Sequence, residues 1–228
     1  MGILYVVSTP IGNLDDITLR AIKILSSVDL VLCEDTRHTG LFLQKFNISA
    51  KLVSYYDEIE DKKIPEIIEQ LGQGKIFALV SDAGTPLISD PGFRLVRECI
   101  KRGITVESIP GPSALLAALT SSGLPPDKFV FLGYPPEKQS RRIELFSNLY
   151  QCFKTLKQST TVIFYCAPHK LATTLTDMKT ALGDIEIVVA RELTKIHEEI
   201  WRGNITNAQN YFKTPKGEFV LIFNILQE

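Results

Sequence analysis

The sequence predicts two α/β domains, the first on a mainly parallel sheet and the second on a mixed sheet. In the first half of the chain, short apolar runs alternate with amphipathic segments, which is typical of right-handed βαβ units. In the second half, the last two apolar runs are 199–202 and 218–225. The segments around these runs are too short for a crossover helix before and after each of them, which favours antiparallel pairing. Gly123-Leu-Pro-Pro126 is the best linker segment, so we predict domains at 1–122 and 123–228.

The first strand of this domain is indicated by a short, β-branched apolar run, and the strands end in polar or glycine-containing loops. They are predicted at 3–7, 30–33, 76–80 and 105–109. Asp16 is expected to cap the first helix, whose buried face would carry Leu19, Ile22, Leu25 and Val28. Leu41, Phe42 and Phe46 are expected on the next helix.

Three further segments complete this domain. The charged stretch 57–69 is most simply a solvated loop and helix face. Asp90-Pro91 is expected to open a helix, with Asp90 as its N-cap, Phe93, Val96 and Ile100 buried, and Gly103 as its end. Small residues predict a last helix over 114–122.

The second domain starts with a strand at 129–132 and a long basic amphipathic helix. The apolar stripe of that helix contains Phe146, Leu149, Tyr150, Phe153 and Leu156. A strand at 161–166, a helix at 170–182 and a strand at 185–191 follow before the two late runs.

Composition excludes several classes of protein. The net charge of -1 gives no global attraction to nucleic acid or membrane, so an RNA contact would need a local patch. The four cysteines form no CxxC pair and lie far apart, which indicates reduced, mostly buried thiols and no metal site. No run approaches a membrane span, and the N-terminus lacks a secretory signature, so we expect a soluble, cytoplasmic protein.

The most informative segment is 76–92, IFALVSDAGTPLISDPG, where a buried strand ends in a loop with two glycines and two prolines. A simple strand-to-helix connection needs only about two to six residues. Open α/β sheets bind ligands at the carboxyl ends of their strands, so the extra length indicates a site. Asp82 would contact a hydroxyl or a cationic group of the ligand; the alternative is that Asp82 is only a loop residue. Asp90 would shape the loop.

Four glycine- or proline-containing loops follow apolar strands, at 9–13, 81–92, 110–113 and 167–170. Their backbone N–H groups would hold a carboxylate or ribose hydroxyls without cationic side chains. Neither GxxxxGK[ST] nor GxGxxG occurs, which disfavours a nucleoside triphosphatase or a nicotinamide oxidoreductase. Three residues near these loops each have two alternative roles. Ser113 would either bind a ligand or cap a helix, and Glu192 would either face the site or lie in an exposed turn. His169 would be either a catalytic base or a turn residue.

The region 138–157 carries five cations against one acid, Glu144. Together with 34–38, it is the one plausible surface for a polyanion. The simpler alternative is a solvated helix face.

The motifs run from the first strand nearly to the last. They are Thr9-Pro-Ile-Gly-Asn-Leu14 with Asp16-Ile-Thr-Leu-Arg20, Glu34-Asp-Thr-Arg-His38, Val80-Ser-Asp-Ala-Gly-Thr-Pro-Leu-Ile-Ser-Asp-Pro-Gly92, Pro110-Gly-Pro-Ser-Ala114, Ser122-Gly-Leu-Pro125, Pro168-His169 and Ala190-Arg-Glu-Leu-Thr-Lys195. Read together, they resemble the tetrapyrrole methylase superfamily, methyltransferases that bind S-adenosylmethionine in a cleft between two α/β domains. They are most similar to the members that 2′-O-methylate the ribose of a cytidine in small-subunit (16S) ribosomal RNA.

The resemblance implies S-adenosyl-L-methionine as cofactor, 16S rRNA or the small ribosomal subunit as partner, and a homodimer, with no membrane and no metal. It implies a set of cofactor contacts: Ile11, Asp82, Thr85, Pro86, Ser113, Ala114, Tyr165, Cys166, Ala190 and Glu192. A ribose hydroxyl is a poor nucleophile, so a base or an alkoxide-stabilising donor should help. The candidates for that catalytic role are Glu34, Asp35, Arg37 and His169. The candidate RNA contacts are Lys138, Arg141 and Arg142.

The chain departs from the family pattern in three places. A glutamate usual before Pro168-His169 is absent, Gly133-Tyr-Pro-Pro-Glu-Lys138 replaces a more apolar and basic turn, and the chain stops at Glu228 where many relatives continue. Two alternatives therefore stay open. One is a methyltransferase of a tetrapyrrole or another small molecule, and the other is a non-catalytic module that kept the cofactor site.

Overall fold

A computed structural model describes residues 2–225 and divides the chain into two compact units, Met1–Ser113 and Ala114–Glu228. The outer ends of the predicted domains, residues 1 and 226–228, lie outside the described residues. The first unit contains strands β1 (Ile3–Val7), β2 (Leu30–Cys33), β3 (Leu52–Ser54), β4 (Ile76–Leu79) and β5 (Thr105–Ile109). Its helices are α1 (Leu19–Leu25), α2 (Thr36–Lys45), α3 (Asp57–Gly72) and α4 (Phe93–Lys101), with a 3-10 turn at Leu14–Asp16.

The second unit contains β6 (Phe129–Phe131), β7 (Thr160–Cys166), β8 (Glu186–Arg191), β9 (Glu199–Asn204) and β10 (Phe219–Ile225). Its helices are α5 (Ala114–Ser122), α6 (Gln139–Leu156), α7 (Leu171–Leu182) and α8 (Ile205–Tyr211), with a 3-10 turn at Pro168–Lys170. The structure places the division of the chain before α5, whereas the sequence placed it after that helix. The reason is packing, because α5 contacts β7, β8, β9 and β10.

The sheet of the first unit has the order β3-β2-β4-β1-β5, and all its neighbours are parallel. Alternate residues of its strands enter two separate apolar clusters, one on each face. One cluster takes Ala21 and Leu25 of α1 and Leu43 of α2, and the other takes buried residues of α3 and α4. A parallel sheet with both faces covered explains why its three central strands, β2, β4 and β1, are nearly continuous apolar runs.

The sheet of the second unit is mixed, with the order β6-β7-β10-β8-β9. β6 and β7 are parallel, while β10 is antiparallel to both β7 and β8, and β9 is antiparallel to β8. The first sheet, predicted to be mainly parallel, is parallel throughout, and the predicted mixed second sheet is confirmed. Because β6, β7 and β8 run in one direction, the loops that follow them leave the sheet at one edge.

Several local predictions were wrong. Thr18, not Asp16, caps α1, and Asp16 ends a 3-10 turn with its Oδ2 buried and without a partner among the described residues. Gly92, not Asp90, precedes α4, and no side chain caps that helix. Of the residues predicted to be buried on α4, Phe93 is 62% and Ile100 66% exposed. Leu95 and Cys99 fill the core in their place.

Three of the four free cysteines are buried, and Cys152 is exposed. In the described part of the chain, no helix has the length and apolar character needed to cross a membrane.

Candidate functional site

In the first unit, the loops that follow β1, β4 and β5 are joined by side-chain hydrogen bonds. Ser8 Oγ donates to Thr85 Oγ1 at 3.1 Å, and Thr85 Oγ1 donates to the carbonyl of Pro112 at 3.0 Å. Thr9 and Gly84 form a two-way backbone bridge, with N···O distances of 2.8 and 3.0 Å. The carboxyl ends of β4, β1 and β5 are adjacent in the sheet, so these bonds build one continuous edge surface. Thr85, a predicted cofactor contact, lies at its centre.

Two glycines allow the loops of this surface to pack closely against each other. Gly84 has φ +84°, and a Cβ there would lie 3.2 Å from Cγ2 of Ile11. A Cβ on Gly111 would lie 2.9 Å from Cβ of Ser8. Both positions let one backbone approach another where a side chain would not fit.

The same loops present unused donors. Among residues 2–225, the backbone N–H groups of Ile11, Ala83 and Thr85 donate to no other residue. Ile11 and Pro86 are buried, while Ser113 is half-buried at the end of the loop after β5 and Ala114 opens α5. Unused N–H groups beside apolar side chains fit the carboxylate and the apolar parts of a small ligand.

Three neighbouring strand ends, those of β3, β2 and β4, bring carboxylates together. Burial raises the pKa of Glu34 to about 7. The negative charges of Asp90, Asp82 and Asp57 raise this pKa further, in that order. Burial also raises the pKa of Asp90 to about 6, with a hydrogen bond from Ser81 opposing the shift. Among the described residues, no group of three or more His, Cys, Asp or Glu side chains is arranged to hold a metal ion.

The long loop after β4 is held in an unusual backbone conformation. Leu87 and Ser89 have φ of 72° and 66°, and Gly92 has φ 124°. A Cβ on Gly92 would lie 2.5 Å from Cδ2 of Leu79. Residues other than glycine rarely adopt positive φ unless the surrounding structure imposes it. Asp90 lies on this loop between Ser89 and Gly92 and does not cap α4.

The side chains of Asp35 and Arg37 form an ion pair. Asp35 accepts hydrogen bonds from the N–H groups of Arg37 at 2.8 Å and His38 at 3.4 Å, which caps α2. Its Oδ2 also lies 2.9 Å from Nη2 of Arg37. The side-chain hydrogen bond from Arg37 is the main reason that the pKa of Asp35 falls to about 2. A carboxylate this acidic is a weak base, and a guanidinium is never one.

In the second unit, two predicted cofactor contacts share a face of the sheet. Val220 of β10 pairs with Tyr165 on one side and Ala190 on the other. Directly opposed residues point to the same face, so Tyr165 and Ala190 project together. Cys166 projects to the other face, where it is 3% exposed and belongs to the apolar core. Its side chain is used in that core, so the cofactor contact predicted at Cys166 stays a prediction for its backbone.

Glu192, after β8, fixes a neighbouring turn. Its Oε1 accepts hydrogen bonds from the N–H of Glu218 at 2.9 Å and Nζ of Lys195 at 3.0 Å. Burial acts to raise the pKa of Glu192, but these two donors outweigh it and the pKa is lowered. Gly217, with φ +91°, fits only because it lacks a Cβ, which would lie 2.5 Å from Cδ of Glu192.

The remaining predicted residues of this unit separate into exposed and buried groups. His169 is exposed on the 3-10 turn, and Lys138 and Arg141 are exposed at the start of α6. Arg142 is buried, with its side chain 6% exposed, and forms an ion pair with Asp177, which is 1% exposed. Arg142 cannot contact RNA in this arrangement, because its guanidinium is used inside the unit.

The sequence assigned no role to the side chains of Ser8, Thr9 and Ser81, although each carries part of the edge surface. Thr9 Oγ1 donates to the carbonyl of Ser81 at 3.1 Å, and both residues are buried. Their position directly after an apolar strand is the sequence signal that could have identified them as site residues.

The chain has close relatives of known name. The sequence profile of the family described as Tetrapyrrole (Corrin/Porphyrin) Methylases matches residues 3–209. A protein of Synechocystis sp. PCC 6803 named Ribosomal RNA small subunit methyltransferase I is 51% identical over 225 residues, which are 97% of this chain and 78% of that protein. A Thermotoga maritima protein of the same name is 45% identical, over 98% of this chain and 99% of that protein.

A solved structure supports the fold. The cobalamin biosynthetic enzyme cobalt precorrin-4 methyltransferase superposes with a TM-score of 0.69 over 96% of this chain and 94% of that one. The two sequences are 18% identical, so this likeness concerns the fold alone.

Proposed function

We propose that this chain, which belongs to the tetrapyrrole (corrin/porphyrin) methylase family, is an S-adenosylmethionine-dependent methyltransferase that 2′-O-methylates the ribose of a cytidine in small-subunit (16S) ribosomal RNA. The observation that carries this proposal is the similarity over nearly the whole chain to proteins named for methylation of small-subunit ribosomal RNA. The ribose position and the cytidine rest on the motif resemblance. A cytoplasmic homodimer is part of the same proposal.

The alternative substrate class is not favoured. The solved methyltransferase named for a corrin precursor shares the fold at low identity, whereas the relatives at 45% and 51% identity are named for ribosomal RNA. A tetrapyrrole or other small molecule is therefore the weaker hypothesis.

The residues of the first unit fit S-adenosylmethionine. The unused N–H groups of Ile11, Ala83 and Thr85 suit its carboxylate, and Asp82 suits a ribose hydroxyl or an amine. In the second unit, the proposed contacts are the side chains of Tyr165 and Ala190 and the backbone near Cys166 and Glu192. When bound, the cofactor supplies a methyl group on an activated sulfonium, so alignment of the ribose oxygen is the main catalytic task of the protein.

Among the candidate catalytic residues, Glu34 is the best general base. Its carboxylate would accept the proton of the ribose 2′-hydroxyl, and a pKa of about 7 matches the pH at which a base is most effective. Asp35 is too acidic and is tied to Arg37, while His169 lies on an exposed turn of the other unit. We assign Glu34 the base role and Asp35 a structural role.

Primer extension at low nucleotide concentration tests the proposal. Small-subunit ribosomal RNA from cells with the gene should show a stop at a 2′-O-methylated residue that is lost when the gene is deleted. Complementation with the wild type should restore the stop, and the Glu34→Gln variant should restore it weakly. Glu58→Gln, on an exposed residue of α3, is the matched control and should restore it fully. An identical stop pattern with and without the gene would remove the proposed substrate.

A further inference from the structure

The turn between β6 and α6 displays an aromatic side chain to solvent. Tyr134 is 59% exposed and follows Gly133, whose φ is 63°. Its ring lies 5.7 Å from the ring of Tyr165, which in turn lies 4.7 Å from the ring of Phe131. Tyr134 is therefore the outermost ring of a three-ring cluster at the carboxyl edge of β6 and β7.

This turn is fixed from within the unit. The N–H of Tyr165 donates to the carbonyl of Gly133 at 2.9 Å. Nη1 of Arg142 donates to the carbonyls of Pro136 at 2.9 Å and Glu137 at 3.1 Å. The buried partner Asp177 holds that guanidinium in place. The ring is presented in a preorganised position, which reduces the entropy cost of binding.

Two exposed cations follow the ring within seven residues of sequence. Lys138 and Arg141 are exposed at the start of α6, the first turn of which contains no acidic residue. Neither cation has an ion-pair partner among the described residues. The acid that precedes them, Glu137, is paired with Lys170 at 2.5 Å. An exposed ring beside unpaired cations matches a ligand that has both a flat apolar face and negative charge.

We propose that Tyr134 is a stacking platform for one unpaired base of the RNA substrate, with the flanking phosphates bound by Lys138 and Arg141. This inference rests on the proposed function, because it assigns a subsite to the same RNA. Proteins recognise single-stranded RNA by stacking its bases on aromatic side chains, with cations along the backbone. The cofactor is a poorer candidate for this site, because a molecule with a single carboxylate and a sulfonium does not call for two additional cations.

Fluorescence anisotropy with a short single-stranded RNA from the substrate region tests the platform. Tyr134→Ala should weaken binding by about 5- to 150-fold, the range for losing one base stack. Tyr134→Phe keeps the ring and should bind like the wild type. Phe129→Ala removes a ring that is 43% exposed at the opposite end of β6, and it should also leave RNA affinity unchanged.

An RNA of equal length with abasic riboses provides the decisive comparison. Wild type and Tyr134→Ala should bind it with equal affinity, because no base is left to stack. Equal binding of the natural RNA by Tyr134→Ala and wild type would overturn the platform. A parallel loss of S-adenosylmethionine affinity, measured by calorimetry, would also overturn it, since the ring would then serve the cofactor. Methyl transfer by the wild-type protein to small-subunit RNA is a separate readout, and its absence would instead refute the proposed function.

Discussion

Replacing Arg142 by methionine should strongly destabilise the second unit. The guanidinium and the Asp177 carboxylate are 6% and 1% exposed, and Nε of Arg142 lies 2.7 Å from Oδ2 of Asp177. Methionine preserves the apolar stem but leaves a buried carboxylate with only the amide of Gln139, at 2.9 Å, as a donor. Removing one partner of a buried ion pair costs about 3–5 kcal/mol. For a chain of this length, that corresponds to a fall in Tm of about 6–20 °C.

Arg141→Met is the matched control, because Arg141 is exposed and adjacent in sequence. It should change stability by no more than about 0.5 kcal/mol. Both variants are compared with the wild type by urea and thermal unfolding, followed by circular dichroism. The double variant Arg142→Met/Asp177→Leu should recover much of the loss, because it removes the orphaned charge. If Arg142→Met unfolds at the same temperature as Arg141→Met, the buried ion pair does not support the fold as argued.

Three further predictions concern the candidate site and its supports. Methyl transfer should increase with pH through about 7, because only ionised Glu34 accepts a proton, and Glu34→Gln should be slow with a flat pH profile. Asp82→Ala should lose binding of S-adenosylmethionine in calorimetry, and undiminished affinity would show that the loop is not the cofactor site. Gly217→Ala should lose about 1–3 kcal/mol in urea unfolding, from its positive φ and the contact of the new Cβ with Glu192. Gly183→Ala is the control, because Gly183 has φ +80° but an added Cβ would meet no atom within 4 Å. This variant should lose only the stability that the positive φ costs. Equal losses of stability in the two variants would show that the contact with Glu192 does not contribute.

The strands were predictable because their signal is local. Apolar runs such as Ile3–Val7 and Leu30–Cys33 lie inside a parallel sheet covered on both faces, so every residue of the run tends to be apolar. β3 was missed because Leu52–Ser54 has three residues, none of them fully buried. Helix α8 was missed for a similar reason, since Ile205–Tyr211 is short and mostly polar.

The errors came from interactions between residues distant in sequence. Arg142 looked like part of a basic helix face, and its burial depends on Asp177, which lies on another helix. The face of α4 was misassigned because both Phe93 and Leu95 are apolar, and only packing against the sheet selects Leu95. The pKa of Glu34 depends on its burial and then on Asp90, which lies on a loop whose path no local pattern specifies.

The carboxylates at the strand ends would repel the phosphates of the proposed substrate, because RNA is a polyanion. Glu34 and Asp90, with pKa values of about 7 and 6, carry less than their full charge near neutral pH, which limits the repulsion of phosphates. Burial first, and then repulsion by the neighbouring carboxylates, raises the pKa of Glu34 and makes it a stronger base than an ordinary glutamate. Approach of a sulfonium would lower the pKa of Glu34 by attraction, so cofactor binding would favour the ionised base. In the proposed function, the cluster would couple occupancy by a cationic methyl donor to the proton acceptance that the ribose hydroxyl requires.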